Sequence, residues 1–161
     1  MDIRVGNGYD THPLINGESL ILGGVLVPHH KGIKGHSDGD VLTHAIIDSI
    51  LGATALGDIG KFFPSKNMNL KGISSLTLLS EIISIIGKKS FYILNIDSTI
   101  ILEAPKIEKY IDSIKSSLAN ILLIPKDKIS VKATTNDRLG FIGEERGVSV
   151  ISTVLIKKLN D

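Results

Sequence analysis

The feature that most narrows what this chain can fold into is the switching of its apolar period. Residues 3–12, 92–102, 129–133 and 148–157 alternate or run β-branched as strands do, the last with a clean in-and-out pattern. Interleaved with them are three stretches of helical spacing. One runs from about Ser37 or Asp38 to Ala55, with Ile46, Ile47, Ile50, Leu51 and Ala53 as its buried stripe; a second covers Ser74 to Ile86 and ends at Gly87; a third leads from Glu103-Ala104-Pro105-Lys106 to about Leu123. Three helices against at least four strands do not make a doubly wound sheet. The expected architecture is α+β, a four-stranded mixed sheet with helices packed on one face. Residues 19–27, aliphatic around Gly23-Gly24, predict a short strand pair with a bend. Residues 28–35 and 57–64 read as loops, and 134–139 as a turn or short helix. No repeat or linker divides the 161 residues, so 1–161 is read as one domain.

Composition removes several function classes. The chain has no cysteine, so disulfides, thiolate nucleophiles and Cys-ligated zinc are excluded together. A net charge of +1 gives no field for nucleic acid or an anionic membrane, and neither is expected as a partner. No apolar run approaches the roughly 20 residues needed to span a bilayer, and Met1-Asp2-Ile3-Arg4 does not open a signal peptide.

What remains is a set of imidazoles and carboxylates. Asp10 and His12 stand two apart at the end of a strand, so their side chains leave the same face. His44 lies early in a helix that can aim it at that strand. One carboxylate and two imidazoles leave a fourth tetrahedral position open, the mark of catalytic rather than structural zinc. Taken singly, the Asp-x-His pair also fits a polar strand end, and His44 a packed helix histidine. The balance shifts because Asp40, His44 and Asp48 share a helix face, and a metal-bound imidazole usually gives its other N–H to a carboxylate. Asp40 or Asp48 is expected in that supporting role, and Asp40 also helps satisfy amides of the first helical turn. Gly6-x-Gly8 lacks the third glycine and the helix of a dinucleotide site. Thr134 and Thr135 at a strand end, and Ala104-Pro105-Lys106 at a helix start, each fit either a phosphate site or an ordinary helix entry.

Several segments in order resemble one family, the 2-C-methyl-D-erythritol 2,4-cyclodiphosphate synthases of non-mevalonate isoprenoid synthesis. They are Gly8-Tyr9-Asp10-Thr11-His12, His36-Ser37-Asp38-Gly39-Asp40-Val41, Leu51-Gly52-Ala53 through Gly57-Asp58-Ile59-Gly60, Phe63-Pro64, Ala104-Pro105-Lys106, and Val131-Lys132-Ala133-Thr134-Thr135 with Leu139-Gly140-Phe141. The resemblance implies a homotrimer with active sites between subunits. It implies a reaction in which the 2-phosphate of 4-diphosphocytidyl-2-C-methyl-D-erythritol 2-phosphate attacks the β-phosphate and CMP leaves. By the same resemblance Asp10, His12 and His44 hold Zn2+, and Asp137 a second divalent ion, Mg2+ or Mn2+. His36 and Ser37 would hold the attacking phosphate, and Asp58, Gly60 and Phe63 the methylerythritol part. Leu102, Ala104, Pro105, Lys106, Ile107 and Glu108 would form the cytidine pocket on the neighbouring subunit. Ala133 and Thr134 would line the diphosphate site, with Thr135 on the leaving side. Phe141 would wall an apolar channel on the trimer axis and count among the ligand-binding residues. The implied location is the cytoplasm for a bacterial chain, or a plastid-type stroma for a mature eukaryotic one.

The chain departs from the family pattern in three places. Asp137 stands where the family usually has Glu; Ser65-Lys66-Asn67 replaces Asp-Thr-Asp; and in Gly143-Glu144-Glu145-Arg146-Gly147 the usual Arg and Glu are exchanged. Glu144 is expected to repel a diphosphate in the axial channel, so the chain either lacks such an effector site or depends on Arg146 for it. Two other classes fit parts of the pattern. A metal-dependent phosphoesterase would hydrolyse a nucleotide-linked diphosphate with water, and a non-catalytic trimeric module would only bind the nucleotide.

Overall fold

The computed structural model describes residues 2–64 and 66–159. Its strands are β1 (Asp2–Asn16), β2 (Leu20–Leu22), β3 (Val25–Val27), β4 (Lys31–Ile33), β5 (Phe91–Ile101), β6 (Ile129–Thr134) and β7 (Gly147–Lys158). Five of them form one mixed sheet in the order β4-β1-β7-β5-β6, parallel only between β5 and β6. The expected four strands are therefore one too few. The extra strand, β4, lies in the segment read as a loop, and three residues with a glycine in the middle are too short to show a period. β2 and β3 form the expected pair as a separate hairpin, turned through Gly23 and Gly24 at φ +57° and +74°.

The helices are α1 (Val41–Ala53), α2 (Ile59–Phe62), α3 (Ser75–Gly87), α4 (Ile111–Leu122) and α5 (Gly140–Gly143). α1 starts later than its apolar pattern suggested, because Gly39 takes φ +74° and Asp40 becomes the N-cap. α4 also starts late, after a 3-10 turn at Glu108–Tyr110. Lys106 therefore does not sit at a helix amide end as expected. α2 lies inside the segment read as a loop, capped by Asp58, whose carboxylate accepts from Lys61 N at 3.0 Å.

Gly6 and Gly8 explain where α1 lies. A Cβ on Gly6 would fall 2.0 Å from Ser49 O, and one on Gly8 1.9 Å from Ala45 O. Only glycine lets the helix backbone rest directly on the strand. The trough continues across the sheet through Ser152 and Ser98, both buried and joined by a 3.0 Å hydroxyl bond. Because Ser49 stands over Gly6 and Ala45 over Gly8, α1 runs antiparallel to β1, and its N-terminal end comes to rest over Asp10 and His12. Ile46, Ile47, Ile50 and Leu51 are fully buried along the other side of the helix. At about 2 kcal/mol for each such side chain, this stripe is what holds α1 in the trough.

The sheet's other face is uncovered. Ile3, Val5 and Tyr9 of β1, Tyr92 of β5 and Ile151 of β7 each expose between 47% and 64% of their surface there. No helix among the described residues is long and apolar enough to cross a membrane.

Candidate active site

Asp10, His12 and His44 converge at the N-terminal end of α1. Asp10 Oδ2 lies 3.1 Å from Nδ1 of His12 and 3.1 Å from Nδ1 of His44. One ligand atom from each of the three falls within 4.8 Å of the others. His12 Nδ1 is buried, and its 3.1 Å approach to Asp10 Oδ2 lacks hydrogen-bond geometry. A buried ring nitrogen without a hydrogen bond is costly, and a metal ion between the three side chains would satisfy it. Two imidazoles and one carboxylate are a donor set that zinc accepts. The residues fit the group.

The far side of His44 is held differently from the expectation. Nε2 lies 3.0 Å from Ser75 Oγ and 3.0 Å from Ser37 Oγ. Ser75 Oγ in turn donates to Asp38 Oδ1, and Ser75 N donates to Asp38 Oδ2 at 3.0 Å. With that hydroxyl committed to Asp38, Ser75 accepts the Nε2–H of His44; Nδ1 donates to Asp10 in the metal-free imidazolium and keeps its lone pair for a metal in the neutral ring. The relay from His44 through Ser75 to Asp38 thus does what Asp40 or Asp48 was expected to do. Asp40 is wholly buried and fully used elsewhere: its oxygens accept from Gly23 N, Gly24 N, Thr43 N and Thr43 Oγ1 at 2.7 to 3.0 Å. Asp48 accepts from Ile59 N at 2.7 Å and ties α1 to α2. Neither carboxylate bonds the His44 ring. Ser75 could not be singled out in the sequence, because a second serine at a helix start reads as capping chemistry.

The electrostatics of the metal-free pair follow from this geometry. Burial works against the charged form of Asp10, but the adjacent His12 and His44 imidazoles hold its carboxyl below the usual 3.8. Burial likewise works against the His44 imidazolium, yet Asp10 holds it above the usual 6.5. A raised histidine contributes stability that is complete below its unfolded value and fades as pH rises through the folded one. A lowered carboxyl contributes stability that is complete above its unfolded value and fades as pH falls through the folded one. We expect the metal-free chain to draw most from this pair between pH 3.8 and pH 6.5. Urea unfolding across pH should show an Asp10→Ala variant losing stability relative to wild type mainly in that window.

The triad opens into a cleft of about 270 Å³ lined by His36, Ser37, Ile59, Gly60 and Phe63, with Leu70, Ile73 and Leu78 as an apolar wall that the sequence reading missed. His36 Nε2 donates to the carbonyl of Asn67 at 3.3 Å, a main-chain contact from the altered loop. Ser65 of that loop lies outside the described residues. Asp58 does not line this cleft; its carboxylate caps α2 beside it.

A second cleft, of about 430 Å³, holds most of the residues expected for cytidine and diphosphate: Leu102, Pro105, Lys106, Ile107, Glu108, Ala133, Thr134 and Thr135, together with Glu103 and Ile111. Ala104 is not among its walls. Glu103 falls within the 102–108 stretch expected for cytidine; its carboxylate accepts from Asn136 N at 3.1 Å and fixes the turn after β6. Asp137 stands exposed in that turn at φ +49°, with Thr135 Oγ1 at 3.5 Å, and it joins no cluster of metal-binding side chains among the described residues. The two clefts share no lining residue. Asp10 registers with Val150, Val150 with Ile100, and Ile100 with Ala133. Three strand spacings, about 14 Å, therefore separate the triad strand from the threonine strand at the same end of the sheet.

Phe141 lines neither cleft. It packs with Thr11, Pro13, Arg146 and Gly147 in a third depression that shares only His12 with the triad cleft. Arg146 Nε donates to Glu144 Oε2 at 2.6 Å, so the two exchanged residues pair with each other.

Comparison with known proteins gives a consistent result. Residues 3–157 match the YgbB family. The 2-C-methyl-D-erythritol 2,4-cyclodiphosphate synthase of Fusobacterium nucleatum is 53% identical over 156 residues, covering 97% of this chain and 98% of that protein. The synthase of Clostridium acetobutylicum is 55% identical over 154 residues, covering 96% and 99%. Among solved structures, the bifunctional IspDF from Campylobacter jejuni superposes with a TM-score of 0.95 at 38% identity; 99% of this chain is covered, but it spans only 43% of that longer one. A CDP complex of IspF from Plasmodium falciparum gives 0.86 at 35% identity, covering 98% of this chain and 97% of that one.

Proposed function

The chain belongs to the YgbB family, whose curated relatives are 2-C-methyl-D-erythritol 2,4-cyclodiphosphate synthases, and it is an enzyme of that lyase class; on that premise we propose the reaction and the roles that follow. The substrate is 4-diphosphocytidyl-2-C-methyl-D-erythritol 2-phosphate. An oxygen of its 2-phosphate bonds to the β-phosphorus, the bridge to the α-phosphate breaks, and CMP leaves with the bridging oxygen. The other product is 2-C-methyl-D-erythritol 2,4-cyclodiphosphate, an intermediate on the way to isoprenoids. The nucleophile is part of the substrate, so the protein needs no covalent nucleophile and supplies position and charge.

The observation that carries this reading is the division of the chemistry between two clefts, metal-type ligands in one and threonines with Lys106 in the other. Asp10, His12 and His44 would hold zinc, and bound there it supplies Lewis-acid polarisation of a phosphoryl oxygen. Ser75 and Asp38 keep His44 in the tautomer that ligation needs. His36 and Ser37 receive the attacking phosphate, and Gly60 and Phe63 the methylerythritol carbons, with Asp58 at the rim. Leu102 to Glu108 take the cytidine, and Ala133, Thr134 and Thr135 the diphosphate, Thr135 donating to the phosphate that departs. Asp137 would hold Mg2+ or Mn2+ as a single carboxylate completed by substrate oxygens.

We read the molecule as a homotrimer of single 1–161 domains in which one subunit's triad cleft faces its neighbour's cytidine cleft. The exposed Ile3, Val5, Tyr9, Tyr92 and Ile151 on the bare sheet face support it, since such a face calls for cover. The bacterial relatives favour a cytoplasmic location over an organelle. Co-expression of two dead variants tests the shared site. His12→Ala lacks the triad and Thr135→Ala the leaving-side hydroxyl, yet random mixing leaves about a quarter of the interfaces with both parts intact. Regained turnover near that fraction of wild type supports the arrangement; none regained from a mixed assembly contradicts it.

A further inference from the structure

Two buried side-chain polar atoms among the described residues lack a hydrogen bond, His12 Nδ1 and His29 Nε2. The first belongs to the triad. The second belongs to another cluster with the same types of donor: His29, His30 and Glu145 each bring one ligand atom within 4.8 Å of the others. The histidines lie between β3 and β4, and Glu145 in the turn from α5 to β7. Consecutive side chains on a regular strand point to opposite faces. Here the two rings instead meet edge to face with centroids 4.3 Å apart, turned to one side. Glu145 holds φ +54°, a conformation uncommon for a residue with its side chain. Its main chain is anchored by Lys31 Nζ, which donates to the Glu145 carbonyl at 2.8 Å. The bond uses the carbonyl and leaves the carboxylate to the imidazoles.

We propose that His29, His30 and Glu145 bind a second ion of the zinc class, separate from the triad, which clamps the β3–β4 connection to the turn before β7. Two ring nitrogens and one carboxylate suit Zn2+, Co2+ or Ni2+; Mg2+ and Ca2+ would ask for oxygen ligands throughout. His29 is half-buried and His30 exposed, so the ion sits at the surface with a position for water. The clamp acts on the triad's own strand: the clamped turn carries Arg146, whose carbonyl accepts from Leu14 N on β1, two residues beyond His12. The ion would therefore stiffen the outer end of that strand without touching substrate.

The test is metal counting on the full chain, stripped and then equilibrated with buffered Zn2+. Wild type should hold two zinc ions per chain, and His30→Ala one, with turnover unchanged at saturating zinc. His12→Ala should also hold one, the complementary ion. Glu145→Gln, which keeps the shape of the side chain, should weaken the second zinc at least tenfold. His30 is exposed, so its removal leaves the core intact. A wild-type count of one, or a second zinc held by His30→Ala and Glu145→Gln as tightly as by wild type, overturns the proposal.

Discussion

Asp10→Ala should lower turnover at least about 10³-fold, in line with loss of a metal or of a central electrostatic group. Asp10 is the one anion of the triad, and its Oδ2 faces both imidazoles at 3.1 Å. Without it, two neutral rings with centroids 5.4 Å apart must hold a dication alone. Asp10→Asn preserves the shape but not the charge, and should fall nearly as far. Zinc content should drop by one ion per chain in both variants while the fold survives, because among the described residues the Asp10 carboxylate accepts from no backbone amide beyond Thr11 N. Rates of CMP release and metal counts check this together. Turnover within tenfold of wild type with zinc retained would show that the triad is not the metal centre.

Asp40→Ala should be the most destabilising substitution near the site, by about 4 kcal/mol. Four donors converge on this buried carboxylate: two from the glycine turn of the β2–β3 hairpin and two from Thr43 in the first turn of α1. Burial pushes its pKa up while those donors pull it down. Each buried donor left without an acceptor costs about 1–3 kcal/mol, and loss of the N-cap itself about 1. Relaxation and water entry keep the total below the sum, yet it remains a large part of the 5–15 kcal/mol typical of a domain. The thermal midpoint should drop by about 10 °C, read at fixed protein concentration because assembly also shifts it. If Asp40 instead supported the His44 ring, the same variant would lose zinc affinity with little loss of stability. The two outcomes separate its expected role from its observed one.

How much was legible in the sequence varied with the range of the interaction. Asp10 and His12 share a strand face by simple alternation, and His44 lies on a helix whose stripe of Ile46, Ile47, Ile50 and Leu51 fixes its orientation. The triad could therefore be read from local periods. β4 could not, because a three-residue edge strand has no pattern and exists only by pairing with Leu14–Asn16. Asp40 and Asp48 bind partners other than His44 for a related reason. Helical spacing puts them on the face of His44, but a buried carboxylate binds whichever donors the fold delivers. For Asp40 these were the amides of Gly23 and Gly24, and for Asp48 that of Ile59, neither visible as a period. Ser75 and Asp38 reach His44 only once α3 has packed against α1. Gly6 and Gly8 looked like a broken nucleotide motif, and the backbone of α1 gives them their actual use.

The central claim, a metal-dependent cyclisation within one substrate molecule, is tested most directly by identifying its products. Purified chain would be incubated with 4-diphosphocytidyl-2-C-methyl-D-erythritol 2-phosphate and Mg2+ in isotopically labelled water, before and after zinc removal, and followed by phosphorus NMR and mass spectrometry. The expected result is cyclic diphosphate and CMP in equal amounts with no label in either, lost when zinc is stripped and regained when it returns. Linear phosphates carrying the solvent label, or undiminished cyclisation in the zinc-free chain, would contradict it.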